Sequence, residues 1–350
     1  MSNPIRFGIL SFAHYHANFW ADAINESPDA TLVGIWDDDT GRGTEAADKY
    51  NTRYWSNLEA LLKECDAVGI TSETVKHADL VEEAATSGLH ILLEKPMATT
   101  LEDCDRIARA VREAGVVFMQ NFPKRYDPIN HELLKIIQGG ELGQISLVRI
   151  RHGHFHGLRE GFAREWFVNP DLGGGGTLID EGVHAADFLL WLLGAPEEVS
   201  ATISNRVLKL PVEDTALAFF SYPSGTLAEV STGWSFLAAE QSIELYGTRG
   251  TALLSGVDLA SRDFSNLPFL KVFRQGEERG NWDGSKITPY FKQGNFHQQG
   301  PLYFLECVQT GKTPIVGLDE GRKSLEMILA AYRAAGTGQR QTIEFSGNAL

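Results

Sequence analysis

The stretch GILSFAHYHANFW (residues 8–20) forms the chain's first turn, between an apolar strand, Ile5–Leu10, and an amphipathic helical run, Tyr15–Glu26. Dinucleotide-binding chains carry G-x-G-x-x-G at such a junction. Its glycines allow a tight turn, close approach of the backbone to a pyrophosphate, and close helix packing. Here the three glycine positions hold Ser11, Ala13 and His16. Alone, the turn reads as a plain strand-to-helix connection, and the fold is decided by what repeats after it.

Short apolar runs follow at Thr31–Trp36, Ala67–Ile70, His90–Leu93 and Val116–Gln120. Between them lie helical stretches at Thr44–Tyr50, Asn57–Glu64, His77–Ser87 and Leu101–Ala114, the last capped by Thr99 or Thr100 and ended by Gly115. Such alternation implies an α/β fold, a doubly wound parallel sheet with helices on both faces, because parallel strands need crossover connections. Ligands of these sheets bind beyond the carboxyl ends of the strands. Three of those ends are informative: SFAHYH, WDDD and EKP. Asp37 stands where a carboxylate takes a ribose hydroxyl pair, and Asp38 adds negative charge where a 2′-phosphate would sit. NAD is therefore expected over NADP, with Arg42 the nearby cation able to turn toward a phosphate.

The chain has 350 residues, 43% of them hydrophobic, which suits two globular domains, here 1–122 and 123–350. Thirty-one basic against 46 acidic residues give a net charge of −15, which disfavours nucleic acid or an anionic membrane as partner. Cys65, Cys104 and Cys307 form no close pair, and the N-terminus shows no signal-peptide pattern, so a cytoplasmic location is expected.

Beyond residue 122 the pattern turns β-rich. ISLVRIRHGHFHG, EVSATISNRVLKL, DTALAFFSYPSGTLAEVSTGW and SIELYGTRGTALLS read as strands of a large, mainly antiparallel open sheet, with helices at 180–193, 297–310 and 319–335. DLGGGGTLIDEGVHAADFLLWLLG (residues 171–194) runs four glycines into an amphipathic helix, on which Asp180, His184 and Asp187 share a face. A carboxylate that orients an imidazole is a recurrent acid–base arrangement. His152, His154 and His156 alternate as on one strand, but a strand-spaced triplet without a carboxylate or cysteine partner is weak evidence for a metal, and none is expected.

LLEKPMATT (Glu94, Lys95, Pro96) and GGGGTLIDEGVHAAD (Asp180, His184) together resemble the two signatures of the glucose–fructose oxidoreductase / inositol dehydrogenase (Gfo/Idh/MocA) family, and the likeness extends over almost the whole chain. That resemblance implies a Rossmann domain for a nicotinamide nucleotide and an α/β domain whose open sheet forms the interface of a dimer or tetramer. It also implies oxidation of a secondary hydroxyl of a sugar or cyclitol. Lys95, Asp180 and His184 take the catalytic positions. Cofactor contacts are expected from Ser11, Phe12, Ala13, His14, Asp37, Asp38, Thr71, Glu94, Lys95 and Asn121. Substrate contacts are expected from Lys124, Arg125, His154 and Trp166 beside Asp180 and His184. The rival reading is a dinucleotide-binding regulator without turnover: the altered glycine loop favours it, while retention of Lys95, Asp180 and His184 together favours the enzyme.

Overall fold

The structure, a computed structural model, describes residues 3–237, 242–255, 268–275 and 282–345. Two compact units divide the chain, residues 3–123 with 297–322 and residues 124–296 with 323–345.

The first unit is built on β1 (Ile5–Leu10), β2 (Ala30–Trp36), β3 (Ala67–Ile70), β4 (His90–Leu93) and β5 (Phe118–Gln120), all parallel, in the order β2-β1-β3-β4-β5. Its crossovers carry α1 (His16–Glu26), α2 (Thr40–Lys49), α3 (Leu58–Leu62), α4 (His77–Thr86) and α5 (Leu101–Ala114). With both faces covered, strands such as β3 are buried at every residue, which is why they read as unbroken apolar runs. Helix α2 starts four residues before the expected Thr44, because the Asp39 carboxylate accepts the Arg42 N–H (3.0 Å) and caps an earlier turn. The close helix packing that the third glycine of the fingerprint would provide comes from elsewhere. Gly69 on β3 lies under Trp20 of α1, and a Cβ there would stand 2.9 Å from the indole.

The second unit opens with α6 (Pro128–Gln138) and contains nine strands: β6 (Ile145–Gly153), β7 (Glu198–Ser204), β8 (Thr215–Ser221), β9 (Leu227–Gly233), β10 (Ile243–Gly247), β11 (Gly250–Leu254), β12 (Leu270–Arg274), β13 (Trp282–Gly284) and β14 (Gln341–Thr342). The order is β13-β12-β11-β10-β6-β9-β8-β7-β14, antiparallel except for the central pair β6/β9. α7 (Pro170–Gly173), α8 (Thr177–Asp180) and α9 (Gly182–Leu193) follow the loop after β6, and α8 and α9 pack on one sheet face. The other face presents Leu217, Phe219 and Leu227 to solvent beside an ion-pair network of Arg149, Arg151, Glu229 and Glu244.

Two expectations change here. The helix expected over 180–193 is two helices that meet at Glu181, so Asp180 ends one and His184 lies in the first turn of the next. Strand β6 ends at Gly153, leaving His152 on the strand, His154 just beyond it, and His156 at the start of a 3-10 turn.

The remaining helices are α10 (Tyr290–Gln293), α11 (Gln299–Thr310) and α12 (Leu318–Thr337). α11 belongs to the first unit and packs on α1, with Phe304 edge-on to Phe7 (ring centroids 6.2 Å). Among the described residues no helix is long and apolar enough to cross a membrane.

Candidate active site

In the opening turn Ser11 adopts a left-handed backbone, φ +73°, where glycine is the unstrained choice. Its hydroxyl links the turn together: Oγ accepts the Ala13 N–H (3.1 Å) and donates to Asp37 Oδ2 (3.2 Å). The Phe12 N–H donates to the same Asp37 oxygen (2.7 Å), the His14 N–H to the Thr71 carbonyl (2.9 Å), and Thr71 Oγ1 to the Ser11 carbonyl (2.6 Å). The amides of Phe12, Ala13 and His14, which would cradle a pyrophosphate, thus already have protein acceptors. A phosphate at this turn competes with them.

The ribose end is similarly occupied. Asp37 ends β2 fully buried, and Arg42 grips it with two bonds, Nε to Oδ2 (2.8 Å) and Nη2 to Oδ1 (2.7 Å). Oδ2 already accepts from Ser11, Phe12 and Arg42, more donors than its lone pairs, so a ribose hydroxyl must displace the guanidinium. Asp38 pairs with Arg42 and with Lys76, which also reaches Glu73 (2.7 Å). Because a 2′-phosphate would need Arg42 as a counter-charge, Arg42→Ala should weaken NADP by about tenfold or more, the scale of one charged hydrogen bond. NAD affinity should stay within a few-fold. Parallel titrations of both cofactors check this, and equal losses for the two would show that Arg42 only holds the loop.

Glu94 and Lys95 leave the end of β4 with both side chains buried. Glu94 Oε1 accepts the Lys95 N–H (3.0 Å), and Oε2 accepts from Asn121 Nδ2 (3.3 Å) and lies 3.2 Å from His16 Nδ1. Burial pushes the Glu94 carboxyl up to about 7, against the pull of the Lys95 ammonium and these N–H donors. His14 is held far below its ordinary value by burial, reinforced by His16 and Lys95, and is a neutral imidazole near neutral pH. Its ring lies 4.2 Å from that of His16, which lies 4.1 Å from His297. The bulkiest departure in the fingerprint, His16, is therefore a core residue of this corner. Asn121 Oδ1 is buried without a hydrogen-bond partner, an acceptor that the amide of a nicotinamide fits.

In the second unit Asp180 Oδ2 accepts from Trp234 Nε1 (3.1 Å), an indole fully buried in a small core with Phe162, Val168, Leu210 and Val212. His184 stands edge-on to His152 (ring centroids 4.9 Å). Glu181 is the carboxylate that the histidine triplet lacked in sequence: Oε2 lies 3.2 Å from His152 Nε2 and Oε1 3.0 Å from His154 Nε2. Trp166 is half-buried and stacks on Phe167 (4.0 Å). The Lys124 ammonium lies 5.8 Å over the Phe188 ring. Arg125, the next residue, is buried. It forms a buried two-point pair with Asp187, Nε to Oδ2 at 2.9 Å and Nη2 to Oδ1 at 2.7 Å.

Two clusters, His14/His16/Glu94 and His154/Asp180/Glu181, place candidate ligand atoms within 4.8 Å of one another. Their hydrogen bonding favours protons over a metal. The His156 N–H donates to His154 Nδ1 (3.1 Å), and the His16 N–H donates to His14 Nδ1 (3.1 Å). A neutral ring whose Nδ1 lone pair accepts an N–H carries its proton on Nε2, and a metal needs a bare lone pair there.

The first unit has the parallel strand order of a dinucleotide-binding half, with a buried polar corner at the ends of β4 and β5. Residues 5–122 match the family model described as an oxidoreductase family with an NAD-binding Rossmann fold, and residues 131–253 match that of the GFO/IDH/MocA C-terminal domain. The chain belongs to the GFO/IDH/MocA family of NAD-binding oxidoreductases. It is 28% identical over 357 residues to the scyllo-inositol 2-dehydrogenase (NAD(+)) of Bacillus subtilis, covering 97% of this chain and 96% of that one. With the D-xylose 1-dehydrogenase (NADP(+)) 2 of Haloferax volcanii it shares 29% over 336 residues, 95% and 98% of the two chains. The crystal structure of myo-inositol 2-dehydrogenase from Lactobacillus plantarum superposes with a TM-score of 0.80 at 21% identity, covering 98% of this chain and all of that one, and shows the same fold.

Proposed function

We propose that this protein is an NAD-dependent dehydrogenase that oxidises a secondary hydroxyl of a sugar, cyclitol or related polyol. The observation that carries the reading is the buried Glu94–Lys95 corner, an ammonium, a carboxyl and the unpartnered Asn121 acceptor at the carboxyl ends of β4 and β5. The activities of two relatives matched over nearly their whole length, on inositol and on xylose, support the substrate class. When bound, the dinucleotide supplies the hydride acceptor. Phe12, Thr71, Asp37 and Asp38 would hold its phosphate and ribose end, and the Asn121 acceptor would hold its nicotinamide end. His184 takes the hydroxyl proton on a ring nitrogen, and Asp180, steadied by Trp234, keeps that ring in place. Lys95 donates from Nζ to the reacting oxygen and stabilises its alkoxide character. Trp166 and His154 border the sugar, while Lys124 and Arg125 act from behind it.

Copies of the chain associate through the outer sheet face, where Phe219 and Leu227 are 49% and 56% exposed. The three cysteines are buried thiols, in keeping with a cytoplasmic enzyme. The test is a panel of polyols, aldoses and sugar acids followed by NADH absorbance. One class should turn over, and His184→Ala should lower its kcat by about 100-fold or more. A panel with no turnover, alongside tight NAD binding that changes association with another protein, would move the assignment to the regulator.

A further inference from the structure

The glycine run before Asp180 is closed by two side chains from far along the sequence. Helix α8 begins at Thr177, and an α-helix leaves its first N–H groups without intrahelical partners. Here they are satisfied by one residue pair. Gly176 N–H donates to the Glu213 carboxylate (3.0 and 3.1 Å) and to Tyr332 Oη (3.2 Å). Thr177 N–H donates to the Glu213 carbonyl (3.0 Å), Leu178 N–H to Glu213 Oε1 (2.9 Å), and Ile179 N–H to Tyr332 Oη (3.2 Å). Tyr332 Oη itself donates to Glu213 Oε1 (2.6 Å). Contact is close enough to exclude any side chain: a Cβ on Gly175 would stand 2.2 Å from Tyr332 Oη, and one on Gly176 would stand 2.1 Å from the Glu213 carbonyl oxygen. Asp180 follows at once, its N–H bonded to the Gly176 carbonyl (3.1 Å).

We infer that Glu213 and Tyr332 are positioning residues for the proton-transfer group: they clamp the start of α8, fix the height of Asp180, and through it set His184. The inference deepens the dehydrogenase reading and rests on it for the roles of Asp180 and His184. A carboxylate at a helix N-terminus is also favoured by the helix dipole, and it is satisfied here by three donors, the Gly176 and Leu178 amides and the Tyr332 hydroxyl. The clamp gives a reason for the glycines at 175 and 176 that does not involve phosphate.

Tyr332→Phe keeps the ring and removes the hydroxyl that bridges Gly176, Ile179 and Glu213. On the substrate found by the panel, kcat should fall about 10- to 100-fold, the cost of a small misplacement of a reacting group, with NADH affinity unchanged. In an Asp180→Asn background the same change should cost almost nothing further, because the group it positions is already disabled. A second readout needs no turnover. Trp234 donates its indole N–H to Asp180, so its indole resonance in a 1H–15N spectrum, assigned with Trp234→Phe, should shift in Tyr332→Phe. An unmoved indole resonance with unchanged kcat, even beside a lowered Tm, would reduce the clamp to a structural role and overturn the inference. If Tyr332→Phe does not fold, Glu213→Gln is judged by the same two readouts. If no polyol turns over in the wild type, the dehydrogenase reading fails while the indole shift still decides whether the clamp sets Asp180.

Discussion

Lys95→Ala is expected to lower turnover by about 100-fold or more while leaving NADH affinity within a few-fold. The hydrogen bond from the Lys95 backbone N–H to Glu94 Oε1 does not use the side chain and is retained in the variant. What is lost is a buried positive charge, 4% exposed, which the proposed mechanism places at the oxygen that gains alkoxide character. Electrostatic and proton-transfer contributions in such water-poor sites have that magnitude. Glu94 also changes, because the ammonium is what opposes its burial, and its carboxyl should hold a proton to higher pH in the variant. Steady-state kinetics on the panel substrate and a fluorescence titration with NADH separate the two effects. Near-wild-type turnover would remove Lys95 from the chemistry, and a large loss of NADH affinity with intact turnover would make it a cofactor anchor.

Asp187→Ala is the largest expected loss of stability, about 3–5 kcal/mol, because it removes one partner of a buried ion pair and leaves the Arg125 guanidinium without the carboxylate that holds it at two points. Both side chains are nearly inaccessible, at 6% and 1% exposure, and the geometry is two-point. For a unit of this size each kcal/mol lowers Tm by about 2–4 °C, so the melting point should drop by roughly 6–20 °C. The double change Arg125→Met with Asp187→Leu should recover most of that, since a buried pair replaced by apolar groups of similar volume is often neutral. A Tm shift under 2 °C for Asp187→Ala would mean that Arg125 finds another anion, and would reopen the possibility that it meets the substrate.

These two sites show what can be read along a chain. Lys95 and Glu94 are legible because both sit where a short apolar run stops, and the strand-end rule assigns such residues to ligands. The five parallel strands are legible for the same reason, since burial on both faces writes them as apolar blocks. The Arg125–Asp187 pair is not legible, because the partners lie 62 residues apart and nothing local announces that the two side chains meet. Glu213 and Tyr332, 119 residues apart, leave no local trace except the glycines they require. Glu181 could have been found, since it adjoins Asp180 in IDEGVH, but its link to His152 and His154 depends on a sheet packing that periodicity does not encode. The opening turn lies between these cases. Without its glycines it reads as a plain strand-to-helix connection, whereas the left-handed Ser11 and the Arg42–Asp37 pair show a turn held together by its own side chains.

The nine-stranded sheet ends in two very short strands, β14 with two residues and β13 with three. Each carries charge at its border: Arg340 meets Glu198 (3.0 Å) beside β14, and Arg274 meets Asp283 (2.7 Å) at β13. An incoming strand finds almost no backbone ladder to extend at either end, and it would have to disturb an ion pair to use what there is. Growth by edge addition has no natural stop, whereas pairing of one broad face with its copy is complete after a single event. In the face-to-face assembly proposed above, a sheet this wide, with phenylalanine and leucine on its outer surface, leads to an assembly of fixed size and not to a fibre.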